Sequence, residues 1–538
     1  MLGLMQTRPL LVSSLIDHAA KQHGDTEVIS RGVDKKILRT DWATTGARAK
    51  RLAKALIRAG VVRGDCVASL AWNTHRHLEY YYGVAGMGAI CHTINPRLFL
   101  EQIQFIVEHA QDKLIFFDVN LLELVQKISA VHPVVKFVAM GELPAGHGLK
   151  HCMSYEDMLA AETDDYEWQL FDENTASGLC YTSGTTGNPK GVLYSNRSVV
   201  LHSYAGCMPD SFNISAADVV LPGSSMYHAN AWGIPHAATL AGSKMVLPGP
   251  ALDGESIVDL IEQEAVTLSS GVPTVWSGVM QYLEKSGRTL KTLRRLIVAG
   301  SACPPSLMRY FADQHGTDVV QMWGMTETSP LGTMNIAKAK HASLPPEKLA
   351  EVREKQGRAV FGLEMKIVDD NKKPLPHDGV AYGDFMVRGW WVTEQYYKLS
   401  LKAIDEEGWF HTGDVATIDP DGFMRITDRS KDVIKSGGEW ISSIDLENAA
   451  VAHPAVVEAA VIGVHHPKWE ERPLLLLHLK EGMSISKDEM NDFLKDKVVK
   501  WWLPDDVVQV KEIPHTATGK ILKTKLREDF KNHFMERK

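Results

Sequence analysis

Short apolar runs alternate with helix-spaced segments along most of the chain. In residues 102–109, Ile103, Phe105, Ile106 and Val107 lie among polar residues, which predicts a helix. Residues 113–118 (KLIFFD) then predict a short buried strand. The pairing recurs: residues 256–264 predict a helix, and 266–269 a strand. A further apolar run, 293–299 (LRRLIVA), stops at Gly300. Such alternation implies α/β layers around parallel sheets, whose ligands gather beyond the carboxyl ends of the strands. The pattern changes after residue 400. Residues 405–428 alternate apolar positions with Asp and Gly, as hairpins do. Residues 429–445 combine charges with a Gly-Gly pair, and the chain from there to residue 538 is long enough for one small α/β domain. We place the main boundary near 428–432, giving units 1–430 and 431–538. No repeat or low-complexity tract interrupts this plan.

Two apolar stretches test for a membrane span. Residues 219–243 carry no charge but include Pro222, His228, Asn230, Pro235 and His236; residues 80–96 are short and broken by glycines, His92 and Asn95. Neither is expected to span a bilayer. The opening run is interrupted by Asp17 and His18, so it predicts an amphipathic helix and not a signal peptide. With 538 residues, about three to four structural units are expected. A net charge of −8 offers no global basic field for nucleic acid. Six scattered cysteines without a CxxC pair fit a reducing cytoplasm better than a disulfide scaffold.

The sharpest local feature is YTSGTTGNPKG at residues 181–191. Glycines let backbone N–H groups approach an anion, hydroxyls add donors, and Lys190 adds charge suited to a polyphosphate. The spacing is not that of the GxxxxGK[ST] loop.

This loop resembles the phosphate-binding signature of adenylate-forming enzymes: acyl-CoA ligases, peptide-synthetase adenylation domains and luciferases. Further signatures occur in the family's order: MWGMTE at 322–327, WFHTGD at 409–414, DRSKDVIKSGGEWIS at 428–442 and PHTATGK at 514–520. The resemblance covers residues 12 to 530. It implies a mixed α/β and α+β fold. The large N-terminal domain would hold two α/β sheet subdomains and a small β-barrel-like one, with a small mobile C-terminal α/β domain. It implies transfer of AMP from ATP to a carboxylate, loss of pyrophosphate, then capture of the acyl group by CoA.

Residue roles come from the resemblance position by position. Thr182, Ser183, Gly184, Thr185, Thr186, Gly187 and Lys190 are expected to cradle the β- and γ-phosphates. Glu327 with Thr185 is expected to hold Mg²⁺, which favours oxygen ligands. Gly300, Ser301, Ala302, Trp323, Gly324 and Thr326 line the nucleotide site, with Trp323 stacked on adenine where many relatives carry tyrosine. Asp414 and Arg429 are expected at the ribose, and Lys520 between the substrate carboxylate and the α-phosphate. Lys431 matches the hinge. Rotation there would bring Lys435, Ser436, Gly437, Gly438 and Trp440 to the pantetheine of CoA.

In the fatty acyl-CoA ligase branch a stretch similar to MYHANAW (226–232) has a histidine near the reaction centre and a tryptophan gating the acyl tunnel. His228 and Trp232 take those positions, with Gly300, Trp323 and Pro330 completing the expected acyl wall. No charged side chain lies in 221–240, which favours an uncharged acyl tail. SGGEWISS (436–443) and HPKWEERP (466–473) resemble medium- and long-chain ligases. The opening PLLVSSLIDHAA resembles a narrower group, the 3-methylmercaptopropionate-CoA ligases of bacterial dimethylsulfoniopropionate breakdown. A short or medium-chain acid is therefore the expected substrate. A medium- or long-chain fatty acid ligase and an enzyme loading a separate carrier protein are the alternatives. Relatives are often homodimers through the N-terminal domain, and the same is expected here. No cysteine falls in a matched motif, so the reactive thiol is expected to be that of CoA.

Overall fold

The computed structural model describes all residues except 134, 183–187, 430, 437–438, 517–519 and 536–538, and the side chains of Arg429, Glu439 and Trp440. The first half of the chain builds a seven-stranded sheet in the order Cys152–Ser154, Lys136–Ala139, Leu114–Phe117, Cys66–Leu70, Ile90–Thr93, Ala176–Tyr181 and Gly191–Ser195. Its strands pair in parallel up to the last pair, which is antiparallel. That last pair is a hairpin: Tyr181 faces Gly191, and Thr182 N–H donates to the Lys190 carbonyl at 2.9 Å. The phosphate-type loop is therefore held at both ends by the edge of a sheet.

A nine-stranded sheet comes next. Its central strands, Glu27–Arg31, Lys244–Leu247, Val219–Pro222, Leu268–Gly271, Arg295–Val298 and Asp318–Trp323, run parallel. The helix between two of these strands shows why the apolar spacing was readable. In Gly254–Glu264, Ile257, Val258, Leu260 and Ile261 are buried on one face. Each contributes about 1.5–3 kcal/mol by leaving water. Asp253 caps the helix by accepting from Ser256 N–H at 3.0 Å, worth about 1 kcal/mol. The expected helix at 102–109 is Leu100–Ala110, and the expected strand at 113–118 is Leu114–Phe117. The strand expected at 266–269 begins two residues later, at Leu268.

The region expected to be barrel-like is an antiparallel meander of four strands, Leu363–Val368, Tyr382–Gly389, Phe410–Ile418 and Met424–Arg429. The small C-terminal unit has its own five-stranded sheet: Ile434–Ser436, Glu439–Ile441, Val456–His466, Glu470–Leu479 and Asp506–Gln509. Ser442 Oγ donates to the Thr427 carbonyl at 2.5 Å, and Asp428 accepts from Ser443 N–H at 2.7 Å. These contacts bridge the expected boundary. No described helix is long and apolar enough to cross a membrane. All six cysteines are free, and burial pushes the Cys66 and Cys207 thiols up to about 12.

Candidate active site

Three parallel strands deliver the site at their carboxyl ends. Ala176–Tyr181 ends on the hydroxyl-rich loop, Arg295–Val298 on Gly300, and Asp318–Trp323 on Gly324. The turn after Trp323 is tight. A Cβ on Gly324 would lie 1.6 Å from the Pro330 carbonyl oxygen, so only glycine lets the chain double back there. Glu327 sits just beyond, in a buried 3₁₀ turn, Thr326–Thr328. Burial raises its carboxyl pKa. The Tyr396 hydroxyl, which donates to Oε1 at 2.8 Å, opposes that rise, as do the charges of Lys520 and Lys190. Glu327 thus offers a buried carboxylate next to the charges of Lys190 and Lys520. That fits Mg²⁺, an ion that needs few protein oxygens when phosphates and water supply the rest. Among the described residues, no cluster of three ligating side chains offers an all-protein metal site.

Trp323 and Asp414 are coupled. The indole Nε1–H donates to Asp414 Oδ2 at 2.8 Å, and Phe385 packs edge-on against the indole at 4.8 Å. Asp414 lies opposite Arg429 in the Phe410–Ile418 / Met424–Arg429 pairing. The structure thus brings the expected adenine platform and ribose ligand together. Gly300, Ser301 and Ala302 come directly after the Arg295–Val298 strand, as expected.

The segment expected to form the acyl wall has a backbone feature the sequence did not announce. Ala229, Asn230, Ala231 and Trp232 have φ of 43°, 51°, 50° and 61°, a left-handed turn of four L-residues. Such residues cost about 1–2 kcal/mol each in that region. The turn is held at both ends. Before it, Asn73 Oδ1 accepts from Met226 N–H at 2.8 Å, and the Tyr81 hydroxyl donates to the Met226 carbonyl at 2.5 Å. After it, Gly233 abuts the His202 ring so closely that a Cβ would lie 2.4 Å away. His202 Nε2 also accepts from Leu331 N–H at 3.2 Å, and Trp391 Nε1–H donates to the Leu331 carbonyl at 2.8 Å. Burial, and then His236, hold the His202 imidazole down to about 3, so it stays neutral and able to accept. His202 therefore joins the Trp232 turn to the Pro330 turn.

His228 precedes this turn, and burial followed by the Lys520 charge holds its imidazole down to about 4. Lys520 thus acts on both His228 and Glu327 from the C-terminal unit. Lys435 and Ser436 lie in the C-terminal sheet, where the Lys435 backbone N–H donates to Glu471 at 2.9 Å and Ser436 Oγ accepts from Arg472 at 3.2 Å. Lys431 is exposed. Ser183, Gly184, Thr185, Thr186, Gly187, Gly437 and Gly438 lie outside the described residues, as do the side chains of Arg429 and Trp440. Asn73, Tyr81, His202, Trp391 and Tyr396 escaped sequence reading. Only the last two carried a signal, the aromatic-dense run WWVTEQYY at 390–397.

Residues 16–397 match the AMP-binding enzyme family, and residues 445–520 match the AMP-binding enzyme C-terminal domain. The chain is 53% identical to a 3-methylmercaptopropionyl-CoA ligase of Ruegeria lacuscaerulensis, covering 99% of both chains. It is 48% identical to a medium-chain-fatty-acid–CoA ligase of Ectopseudomonas oleovorans, covering 98% of both. The crystal structure of an anthranilate CoA ligase in complex with anthranoyl-AMP shares the fold at TM-score 0.86 and 24% identity, covering 97% of this chain and 98% of that one. The chain belongs to the AMP-binding enzyme family, on its acyl-CoA ligase branch.

Proposed function

We propose that the protein is an ATP-dependent acyl-CoA ligase acting on 3-methylmercaptopropionate or another short or medium-chain acid. The observation that carries the reading is the convergence of Lys520 on Glu327 and His228 beside an uncharged acyl wall. In the first step a carboxylate oxygen attacks the α-phosphorus of ATP and pyrophosphate leaves. Lys520 holds the carboxylate against the α-phosphate, where negative charge collects. Thr182, Lys190 and the loop between them hold the departing phosphates. Mg²⁺ bound through Glu327 and Thr185 would neutralise charge on the leaving pyrophosphate. The Trp323–Asp414 pair and Arg429 hold adenosine. In the second step the CoA thiolate attacks the acyl carbonyl and AMP leaves. Residues 431–538 turn about Lys431 between the steps and present Lys435, Ser436, Gly437, Gly438 and Trp440 to the pantetheine.

The short-acid preference is supported by the 53% identical relative and by the bulk of Trp232 and Trp323 at the acyl wall. A panel of 3-methylmercaptopropionate, butyrate, hexanoate, octanoate and palmitate, compared by kcat/KM with ATP and CoA, tests it. A maximum at palmitate would overturn the substrate assignment. Adenylate without thioester would indicate a carrier-loading enzyme. We further propose a cytoplasmic homodimer, which light scattering of the purified chain would check for assembly.

A further inference from the structure

The segment from Trp391 to Lys398 leaves the strand Tyr382–Gly389 and passes the acidic turn without forming a helix or strand. It is tied to both halves of the phosphate site. Thr393 N–H donates to the Glu327 carbonyl at 2.8 Å, and Tyr397 N–H donates to the Gly191 carbonyl at 2.8 Å. Tyr396 lies between these anchors. Its hydroxyl donates to Glu327 Oε1 at 2.8 Å, and the Lys190 Nζ lies over its ring, 4.9 Å from the centroid. One side chain therefore touches both charged groups, and its neighbours fix the backbone beside each.

The arrangement solves an electrostatic problem. A lysine and a buried glutamate serving one polyphosphate attract each other, and a direct pair would quench both. Among the described residues Lys190 makes no ion pair with Glu327. Tyr396 offers each a neutral substitute: a ring face for the ammonium and a hydroxyl for one carboxylate oxygen.

We propose that Tyr396 is a positioning residue that holds Glu327 and Lys190 apart and aims both at one metal–polyphosphate site. The proposal rests on the roles proposed for those two residues in phosphate and metal binding. Calorimetric titration of the full chain with ATP, in Mg²⁺ and in EDTA, tests it. Tyr396→Phe removes the hydroxyl and keeps the ring, so the affinity gained by adding Mg²⁺ is expected to fall about fivefold, with Mg²⁺-free affinity unchanged. Tyr396→Leu also removes the ring, so Mg²⁺-free affinity is expected to fall about threefold as well. Binding by Tyr396→Phe equal to wild type in Mg²⁺, or weakened equally in both conditions, would overturn the proposal. Glu327→Gln separates the two failures. If it abolishes the Mg²⁺ gain while Tyr396→Phe does not, the role of Tyr396 alone fails. If it keeps the full gain, the assignment of Glu327 fails first.

Discussion

A tryptophan that reads as a stacking platform is also a hydrogen-bond donor to the neighbouring carboxylate. Trp323 Nε1–H spends its only donor on Asp414 at 2.8 Å. Hydrogen bonds to charged groups are worth about 1.5–3 kcal/mol, so Trp323→Phe is expected to raise the KM for ATP roughly tenfold or more. Steady-state kinetics at saturating acid and CoA would check it; an unchanged KM would remove the indole from nucleotide positioning. A second residue-scale prediction concerns pH. His236 is buried and stacked on Tyr81 at 5.3 Å, and burial holds its imidazole down to about 4. The unfolded chain, with an ordinary value of about 6.5, takes up the proton first as pH falls. The stability contribution is therefore complete above about 6.5 and lost as pH falls towards 4. Between pH 7 and pH 5 the native protein should lose about 2 kcal/mol relative to His236→Phe. Denaturant unfolding of both at the two pH values measures the difference, and parallel pH dependence would contradict it.

At the scale of elements, the strands at Leu114–Phe117, Leu268–Gly271 and Arg295–Val298 were legible, because short apolar runs between helix-spaced segments favour strands in an α/β chain. The supports of the proposed acyl wall were not. Met226 is held by Asn73 from 153 positions away, and Leu331 by His202 from 129 away, and no local pattern records such meetings. The left-handed turn at Ala229–Trp232 was equally hidden, because spacing of apolar residues carries no handedness. It makes a direct prediction. Ala231 has φ 50° and ψ 43°, so Ala231→Gly should change stability by less than about 1 kcal/mol, whereas Ala231→Val should lose about 2–3 kcal/mol. Unfolding midpoints of the two variants check this; a Val variant as stable as the Gly variant would mean the turn is not retained.

At the scale of the whole molecule, the charge of Lys520 acts on Glu327 and His228, while the Lys435 backbone and the Ser436 hydroxyl are bonded within their own sheet. This is the arrangement proposed for adenylation. Lys520→Ala should lose acyl-adenylate formation, read by pyrophosphate exchange, and still convert preformed acyl-adenylate to thioester. Lys431→Pro fixes φ at the proposed pivot and should do the reverse. If Lys431→Pro consumed preformed acyl-adenylate at the native rate, rotation at that residue would be excluded. Sequence motifs singled out both lysines, but not their surroundings, since those depend on contacts between residues far apart in the chain.

The facing of Asp414 and Arg429 across adjacent strands has a thermodynamic consequence. Arg429 ends its strand two positions before Lys431, so the pairing at the proposed ribose site is continuous with the proposed pivot. Any difference in nucleotide affinity between two orientations of the C-terminal unit must then act equally in both directions: the orientation that binds ATP more tightly is the one that ATP favours, by the same factor. On this linkage, the nucleotide would be an allosteric effector of the very unit proposed to move between the two steps of its own reaction.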